Sequence, residues 1–313
     1  MKLFKNAYRF GSTNIAQLKD YQYPSLDGKS TNNIVWLHGM FDSSKNFFKV
    51  AEHQDIRKYG NQILLDARNH GLSQHTDVFT VQDMVNDFID YLANRDMKNL
   101  YIIGHSMGGR TVLSSLSYYK QFLLERVKGV IIIDTIPCSY RIEGIIPIES
   151  VYRYMDEVKS IDLKDKTFQQ VEQEVRSKFE EPIANNILST LGVLENGQLK
   201  WLNNLPVIEK SFHGLMSHEI KDVMWSGPRK ILIGSKSRYT SKKLVQDLYP
   251  SVFSDFQFER DVVEFEHSGH FPYVKEPKKF VEQVVQFIQQ VEYDEYISQK
   301  KKKYYDESLT YDV

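Results

Sequence analysis

The chain has 313 residues with 40 basic and 41 acidic side chains, a formal net charge of −1, so no global field draws it to nucleic acid or an anionic membrane. It is long enough to bury about three quarters of its unfolded surface, which suits one large α/β domain carrying an insertion, or two small domains. A single cysteine, Cys138, excludes an intrachain disulfide framework and fits a reducing compartment; no apolar run reaches the ~20 residues that span a bilayer, and no signal-peptide core is present.

The first nineteen residues hold Lys2, Lys5, Arg9 and Lys19 and no acid. That bias reads either as a mitochondrial transit segment or as an ordinary basic strand pair. Residues 7–26 read as a pair of strands ending at Pro24, and Ile34-Val35-Trp36-Leu37 is a continuous apolar run of buried-strand type. Helical spacing follows over Phe47 to Tyr59, then a strand at Gln62 to Leu65 and a polar loop from Asp66 to Ser73. Val81, Met84, Val85, Phe88, Ile89 and Leu92 form a 3.6-residue stripe that predicts a helix from Val81 to Asn94. A strand from Asn99 to Ile103, a helix from Thr111 to Leu124 and a strand from Gly129 to Ile133 complete this half, with Asp134 at the last strand's end.

Short apolar strands alternating with amphipathic helices predict a mostly parallel, twisted sheet flanked by helices. In such sheets reactive groups collect beyond the carboxyl ends of the strands. His38, Asp66, Ser106 and Asp134 all stand there. From about Ser139 to Ser226 the alternation stops. That charged stretch, with helices expected at Val151 to Val158, Leu163 to Phe179 and Ile183 to Leu191, reads as a cap over the site or as a side domain without substrate contact. The strand pattern resumes at Lys230 to Ile233, followed by a helix at Thr240 to Leu248, a strand at Val262 to Phe265 and a helix at Pro277 to Val291. The expected division is therefore a core in two parts, 1–138 and 227–291, a helical cap at 139–226, and a charged tail at 292–313. The tail, with Lys300 to Lys303 among tyrosines and acids, reads as a solvated end or a docking segment.

Tyr101 to Arg110 carries the chemistry. A strand runs into Gly104-His105-Ser106-Met107-Gly108 and a helix follows, the context in which a G-x-S-x-G motif holds a nucleophile on a strained turn. Gly104 and Gly108 leave room for strand and helix to approach. The turn lifts the Ser106 hydroxyl clear of the sheet and sets the Met107 N–H at a helix start, where it can bond a developing oxyanion. A serine hydroxyl needs a base. His270, after the last strand in His267-Ser268-Gly269-His270, is in position to serve. His267 reads as structural, and His38 and His105 as hydrogen-bonders that shape their loops. The histidine needs a carboxylate. The loop after the next-to-last strand, Gly234 to Thr240, contains none, so Asp134 reads as its replacement, or else as a loop-capping carboxylate without a catalytic role, and Ser237 as a neutral hydrogen-bonder. Asp66 is the competing acid, with Arg68 nearby suggesting an internal loop network. A second oxyanion donor is the Met40 N–H, with Gly39 letting the chain bend.

His38-Gly39-Met40-Phe41-Asp42-Ser43-Ser44-Lys45-Asn46, Asp66-Ala67-Arg68-Asn69-His70-Gly71-Leu72-Ser73, the Ser106 turn, Ile133-Asp134 and Gly269-His270 occur in that order. Together with Trp201-x-x-Asn204-Leu205 and the Gly234 to Tyr239 loop, they resemble the α/β hydrolases. Within that superfamily they look most like the abhydrolase-domain-containing 11 group with its bacterial esterase relatives and the yeast ethanol acetyltransferases. The match spans roughly Ile34 to Phe287. The resemblance implies the α/β-hydrolase fold, a catalytic Ser106, His270 and Asp134, and a Ser237 that in related bacterial esterases joins the triad. It also implies ester hydrolysis or acyl transfer, and mitochondrial residence for eukaryotic members. Two departures stand out: extra residues around Tyr118 to Leu124, and a basic, tyrosine-rich tail with no counterpart.

The expectation is a serine hydrolase acting on small-molecule esters or thioesters, without metal, cofactor, nucleic acid or membrane span. An acyltransferase from a thioester to an alcohol needs the same residues. A non-catalytic subunit docking through its termini to a larger mitochondrial assembly is the alternative of another class. The expected location is mitochondrial, otherwise cytoplasmic.

Overall fold

The computed structural model describes residues 14–139, 148–220, 223 and 225–309. The basic N-terminus, the first half of the expected 7–26 strand pair, the entry to the cap and the last four residues lie outside them. The strands are β1 (Asp20–Tyr23), β2 (Asn33–Leu37), β3 (Asn61–Leu65), β4 (Leu100–His105), β5 (Val127–Ile133), β6 (Leu191–Val193), β7 (Leu199–Trp201), β8 (Arg229–Gly234) and β9 (Val262–Phe265).

Seven of these form one sheet in the order β1-β3-β2-β4-β5-β8-β9. Only β1 runs antiparallel, against β3; the other pairs are parallel. The α/β-hydrolase arrangement expected from the sequence is therefore present. The central strands β2, β4 and β5 are largely apolar because both faces are covered, whereas the edge strand β1, Asp20–Tyr23, is polar and part-buried. Alternate residues point to opposite sides: Val35, Leu37 and Ile102 join one core, whereas Ile34, Trp36, Tyr101 and Ile103 join the other. The first core is closed by the helices Val81–Asn94 and Met107–Tyr118, the second by the short turns around Phe47 to Ile56 and the start of the final helix. Thr80 and Asp83 cap Val81–Asn94 reciprocally, which fixes where that helix starts.

Several element boundaries differ from expectation. The stretch Phe47 to Tyr59 is a 3₁₀ turn, Ser44–Phe47, and two short helices, Phe48–Ala51 and Gln54–Arg57. His53 leaves helical geometry, and its Nδ1 accepts the Asp55 N–H as a cap. The helix expected over Thr111 to Leu124 begins at Met107 and breaks at Tyr119 (φ −124°, ψ 36°), with a separate turn Lys120–Leu124 beyond. Tyr119 donates its hydroxyl to Asn86 on the neighbouring helix at 2.8 Å, so the break falls on the extra residues noted in the sequence.

The cap contains more than the three expected helices. Ile148–Lys159, Phe168–Lys178 and Glu181–Ser189 are followed by an antiparallel β6–β7 hairpin and a further helix, Leu205–Ser217. The tail is not a frayed end over its described part. The final helix runs from Pro277 through Leu309, 33 residues. Asn32 donates to Glu292 and Lys128 to Glu295, each at 2.7 Å, which ties the extension to the sheet domain. No helix among the described residues is long and apolar enough to cross a membrane.

Candidate active site

Ser106 is where the sheet hands over to its helix. Its backbone has φ 51° and ψ −112°, a left-handed conformation that costs a non-glycine residue roughly 1–3 kcal/mol. Two close approaches show what holds it. A Cβ on Gly104 would lie 2.6 Å from the Gly108 carbonyl oxygen, and one on Gly108 would lie 2.2 Å from the Leu37 carbonyl oxygen. Both glycines are therefore required by contact, as expected. The Ser106 N–H donates to Ile133 O at 2.9 Å, which binds the turn to β5. Met107 opens the helix, so its N–H has no partner within that helix.

The His38–Met40 turn lies against this corner. The Gly108 N–H donates to His38 O at 3.1 Å, and a Cβ on Gly39 would meet His105 Nδ1 at 2.9 Å and Ser106 Cβ at 3.4 Å. The need for glycine at 39 is this contact and not a left-handed bend; the positive φ in the turn belongs to Phe41, at 59°. His38 is locked in one tautomer. Its Nδ1 donates to Gly39 O at 2.7 Å and its Nε2 accepts the Ala67 N–H at 3.0 Å. Burial pushes it down to about 4, so it stays neutral and shapes the loop.

On the other side, His270 Nδ1 donates to Asp134 Oδ2 at 2.6 Å. Ser237 donates its hydroxyl to the same oxygen at 2.5 Å and accepts the Tyr239 N–H at 3.1 Å. The second oxygen, Oδ1, accepts the Gly234 N–H at 3.1 Å. Asp134 is fully buried and sits at φ 47° just past β5. Its carboxylate thus accepts three bonds, from the last residue of β8 and from the loops after β8 and β9. Because Nδ1 donates, the Nε2 lone pair of a neutral His270 is free to act as a base. His105 presses His270 toward the turn: its Nε2 donates to His270 O at 2.8 Å, and the two rings lie 4.5 Å apart. The Tyr239 ring also packs on His270, with centroids 4.2 Å apart.

Ser106, His270, Met40 and Met107 line one cavity of about 710 Å³, within the usual range for small-molecule sites. Cap residues Val151, Tyr154, Ile183, Phe212 and Leu215 form much of its wall, so the cap, not the core alone, shapes the space. The exposed His267 is at its rim, and its N–H donates to Glu276. Asp66 stays out of this group. It accepts from Ser44 at 2.7 and 2.9 Å and from Leu72 at 2.9 Å, an internal loop network as expected. Arg68 is not its partner: that guanidinium is buried against Asp87 at 2.6 and 2.7 Å.

Sequence reasoning missed Tyr239, Tyr273 and Asp42. Tyr273 lies between His105 Nδ1 at 3.2 Å and Asp42 Oδ2 at 3.4 Å. Burial pushes the Asp42 carboxyl up to about 8. No spacing rule points to these residues, because each acts through a side chain far away in sequence.

The sequence pattern of the alpha/beta hydrolase family matches residues 34–283. The chain belongs to the alpha/beta hydrolase family. Among its relatives in that family is the sn-1-specific diacylglycerol lipase ABHD11 of Xenopus tropicalis, 28% identical over 288 residues, which cover 89% of this chain and 85% of that protein. Esterase YbfF of Escherichia coli K12 is 28% identical over 216 residues, covering 69% and 78%. Ethanol acetyltransferase 1 of Cyberlindnera jadinii is 24% identical over 268 residues, covering 77% and 78%. Among solved structures, a marine microorganism esterase superposes with a TM-score of 0.74 at 25% identity, covering 87% of this chain and 99% of its own.

Proposed function

We propose that this protein is a serine hydrolase of small carboxylic esters or thioesters, working through Ser106, His270 and Asp134. The reading rests on one observation above the rest: His270 is oriented by a buried carboxylate at 2.6 Å and shares a cavity with a serine held in strained geometry. Ser106 Oγ attacks the acyl carbon while His270 Nε2 takes its proton. Asp134 fixes the imidazole tautomer and steadies the imidazolium. The Met40 and Met107 N–H groups receive the oxyanion, each typically contributing a few kcal/mol. His270 then returns the proton to the leaving oxygen or sulfur, and the acyl group stays on Ser106. Water, activated by the same His270, releases the acid.

An alcohol can take the place of that water, which makes acyl transfer the second reading. The likeness to an ethanol acetyltransferase over 77% of the chain supports keeping it. The two separate by product ratio: an acyltransferase yields ester in preference to acid when ethanol is added to a thioester donor. Hydrolysis itself is tested with nitrophenyl esters graded by acyl length. Ser106→Ala is expected to cut kcat by a factor on the order of a million while the fold is retained by circular dichroism. Turnover that survives in Ser106→Ala would place the chemistry elsewhere.

A further inference from the structure

The cavity wall is not uniform in charge. On the cap and on the helices behind Ser106 it carries the apolar Val81, Met84, Met107, Phe212 and Leu215, and the cations there are engaged: Arg110 donates to Ile136 O and Cys138 O, Arg153 lies by Glu157, and Lys178 pairs with Glu174. The lining residues contributed by the loops after β8 and β9 include Lys236, Arg238 and Lys275, all exposed. Among the described residues no carboxylate lies within ion-pair distance of any of the three. The two lining carboxylates, Glu157 and Glu180, belong to the cap, where Glu157 lies 4.0 Å from Arg153. Nearby Glu276 is engaged, accepting from Ser268 Oγ at 2.5 Å and the His267 N–H at 3.0 Å.

These cations are mounted on the framework that holds His270. Lys236 and Arg238 flank Ser237, whose hydroxyl reaches Asp134. The Lys236 N–H donates to Ser268 O at 2.9 Å, tying the two loops together. Lys275 ends the short helix Pro272–Lys275 that follows His270, its N–H donating to Phe271 O at 3.1 Å. In a serine-hydrolase cycle the leaving group must lie beside the histidine that protonates it. The acyl portion then faces the apolar wall, and the departing alcohol or thiol faces the cations.

We propose that Lys236, Arg238 and Lys275 form a subsite for an anionic group, phosphate or carboxylate, carried on the leaving-group side of the ester. This rests on the reading of Ser106 and His270 given above and adds the substrate class to it. The bond broken is the same acyl C–O or C–S bond. The anion takes no part in the chemistry and serves to dock the leaving group under His270.

The test uses the full chain and butyrate esters of three phenols: 4-hydroxyphenyl phosphate, 4-hydroxybenzoate and neutral 4-hydroxybenzamide. In the triple variant Lys236→Gln, Arg238→Gln, Lys275→Gln, the ratio of kcat/KM for anionic over neutral ester is expected to fall about tenfold, the scale of a few partly exposed ion pairs. In the wild type the same ratio is expected to fall as salt rises. The anion with the larger loss identifies the preferred head. A ratio unchanged by the triple substitution, with the neutral ester still hydrolysed, overturns the subsite alone. Loss of binding to phosphatidylserine vesicles without a change in the ratio also overturns it, since the cations would then serve a lipid surface. A folded wild type that hydrolyses none of the three esters overturns the underlying serine-hydrolase reading.

Discussion

The carboxyl end of the sheet and the cap above it are held together by different means. At the sheet end the backbone itself is in contact: Gly108 against Leu37 and Gly39 against His105, with Arg68 and Asp87 paired out of water. In the cap the polar pairs are at the surface, as with Lys166 and Lys178 on Glu174, Arg176 on Glu172, and Lys159 on Glu209. Such pairs contribute about 0–1 kcal/mol each and tolerate change. The first region fixes angles, which the proposed proton transfer would require. The second encloses a volume, and many sequences can enclose the same volume.

That contrast can be broken at several points. The largest effect falls on the buried acid. Asp134→Ala removes the acceptor that orients His270 and is expected to lower kcat by about 10⁴. Ser237→Ala leaves Asp134 with the His270 and Gly234 bonds and is expected to cost roughly tenfold, about the worth of one hydrogen bond to a charged group. Equal losses in the two variants would mean that Ser237 is a full partner rather than a support. Next comes Gly108→Ala, whose new methyl has no room beside the Leu37 carbonyl. It is expected to destabilise by more than about 3 kcal/mol in urea unfolding.

Acid sensitivity is also concentrated at the sheet end. Burial pushes His38 to about 4, His70 to about 3 and His105 well below the ordinary 6.5. From these three the unfolded chain binds about three more protons than the folded one as pH falls from 6.5 toward ~4.5, and His218, held below 6.5 by burial and by Arg110, adds in the same direction. Asp42, pushed up to about 8, runs the other way, being protonated in the folded state and ionised when unfolded. The net uptake on unfolding is about two protons, so stability is expected to drop by about 3 kcal/mol per pH unit below ~6.5. Above that pH only Asp42 acts, and stability declines gently toward pH 8. Urea midpoints across this range would reveal the maximum near 6.5, and a flat profile would show that these side chains are wet. The smallest effect belongs to the cap. Gly214, inside the helix Leu205–Ser217, has nothing within 4 Å of where a methyl would go. Gly214→Ala is expected to stabilise by about 0.5–1 kcal/mol, the reverse of Gly108→Ala.

The same contrast decides what could be read from sequence. The strand ends at Leu37, Leu65 and Ile133 were legible because both-face burial makes a strand continuously apolar and leaves the first polar residue conspicuous, whereas β4 runs two residues past the expected Ile103, to His105. The choice of Asp134 followed from a loop that offers only Ser237. The cap was legible as an interruption with three helices, but its hairpin and its fourth helix, Leu205–Ser217, were not. Its hairpin carried a signal, Asn196-Gly197 between Leu194 and Leu199, and Gly197 takes the φ of 83° that such a turn needs. The charged surroundings hid it. The extension of the last helix past Val291 was illegible for another reason. It is held by Glu292 and Glu295 reaching back to Asn32 and Lys128, contacts that no local pattern encodes.

Reaction with a fluorophosphonate, read by peptide mass spectrometry, puts the proposed chemistry to its most direct test, since the probe couples only to a serine whose proton a neighbouring base can take. The expected result is a single adduct on Ser106 in the wild type and none in His270→Ala at the same exposure. A folded wild type that takes no label, or a Ser106 that labels equally well without His270, would contradict it.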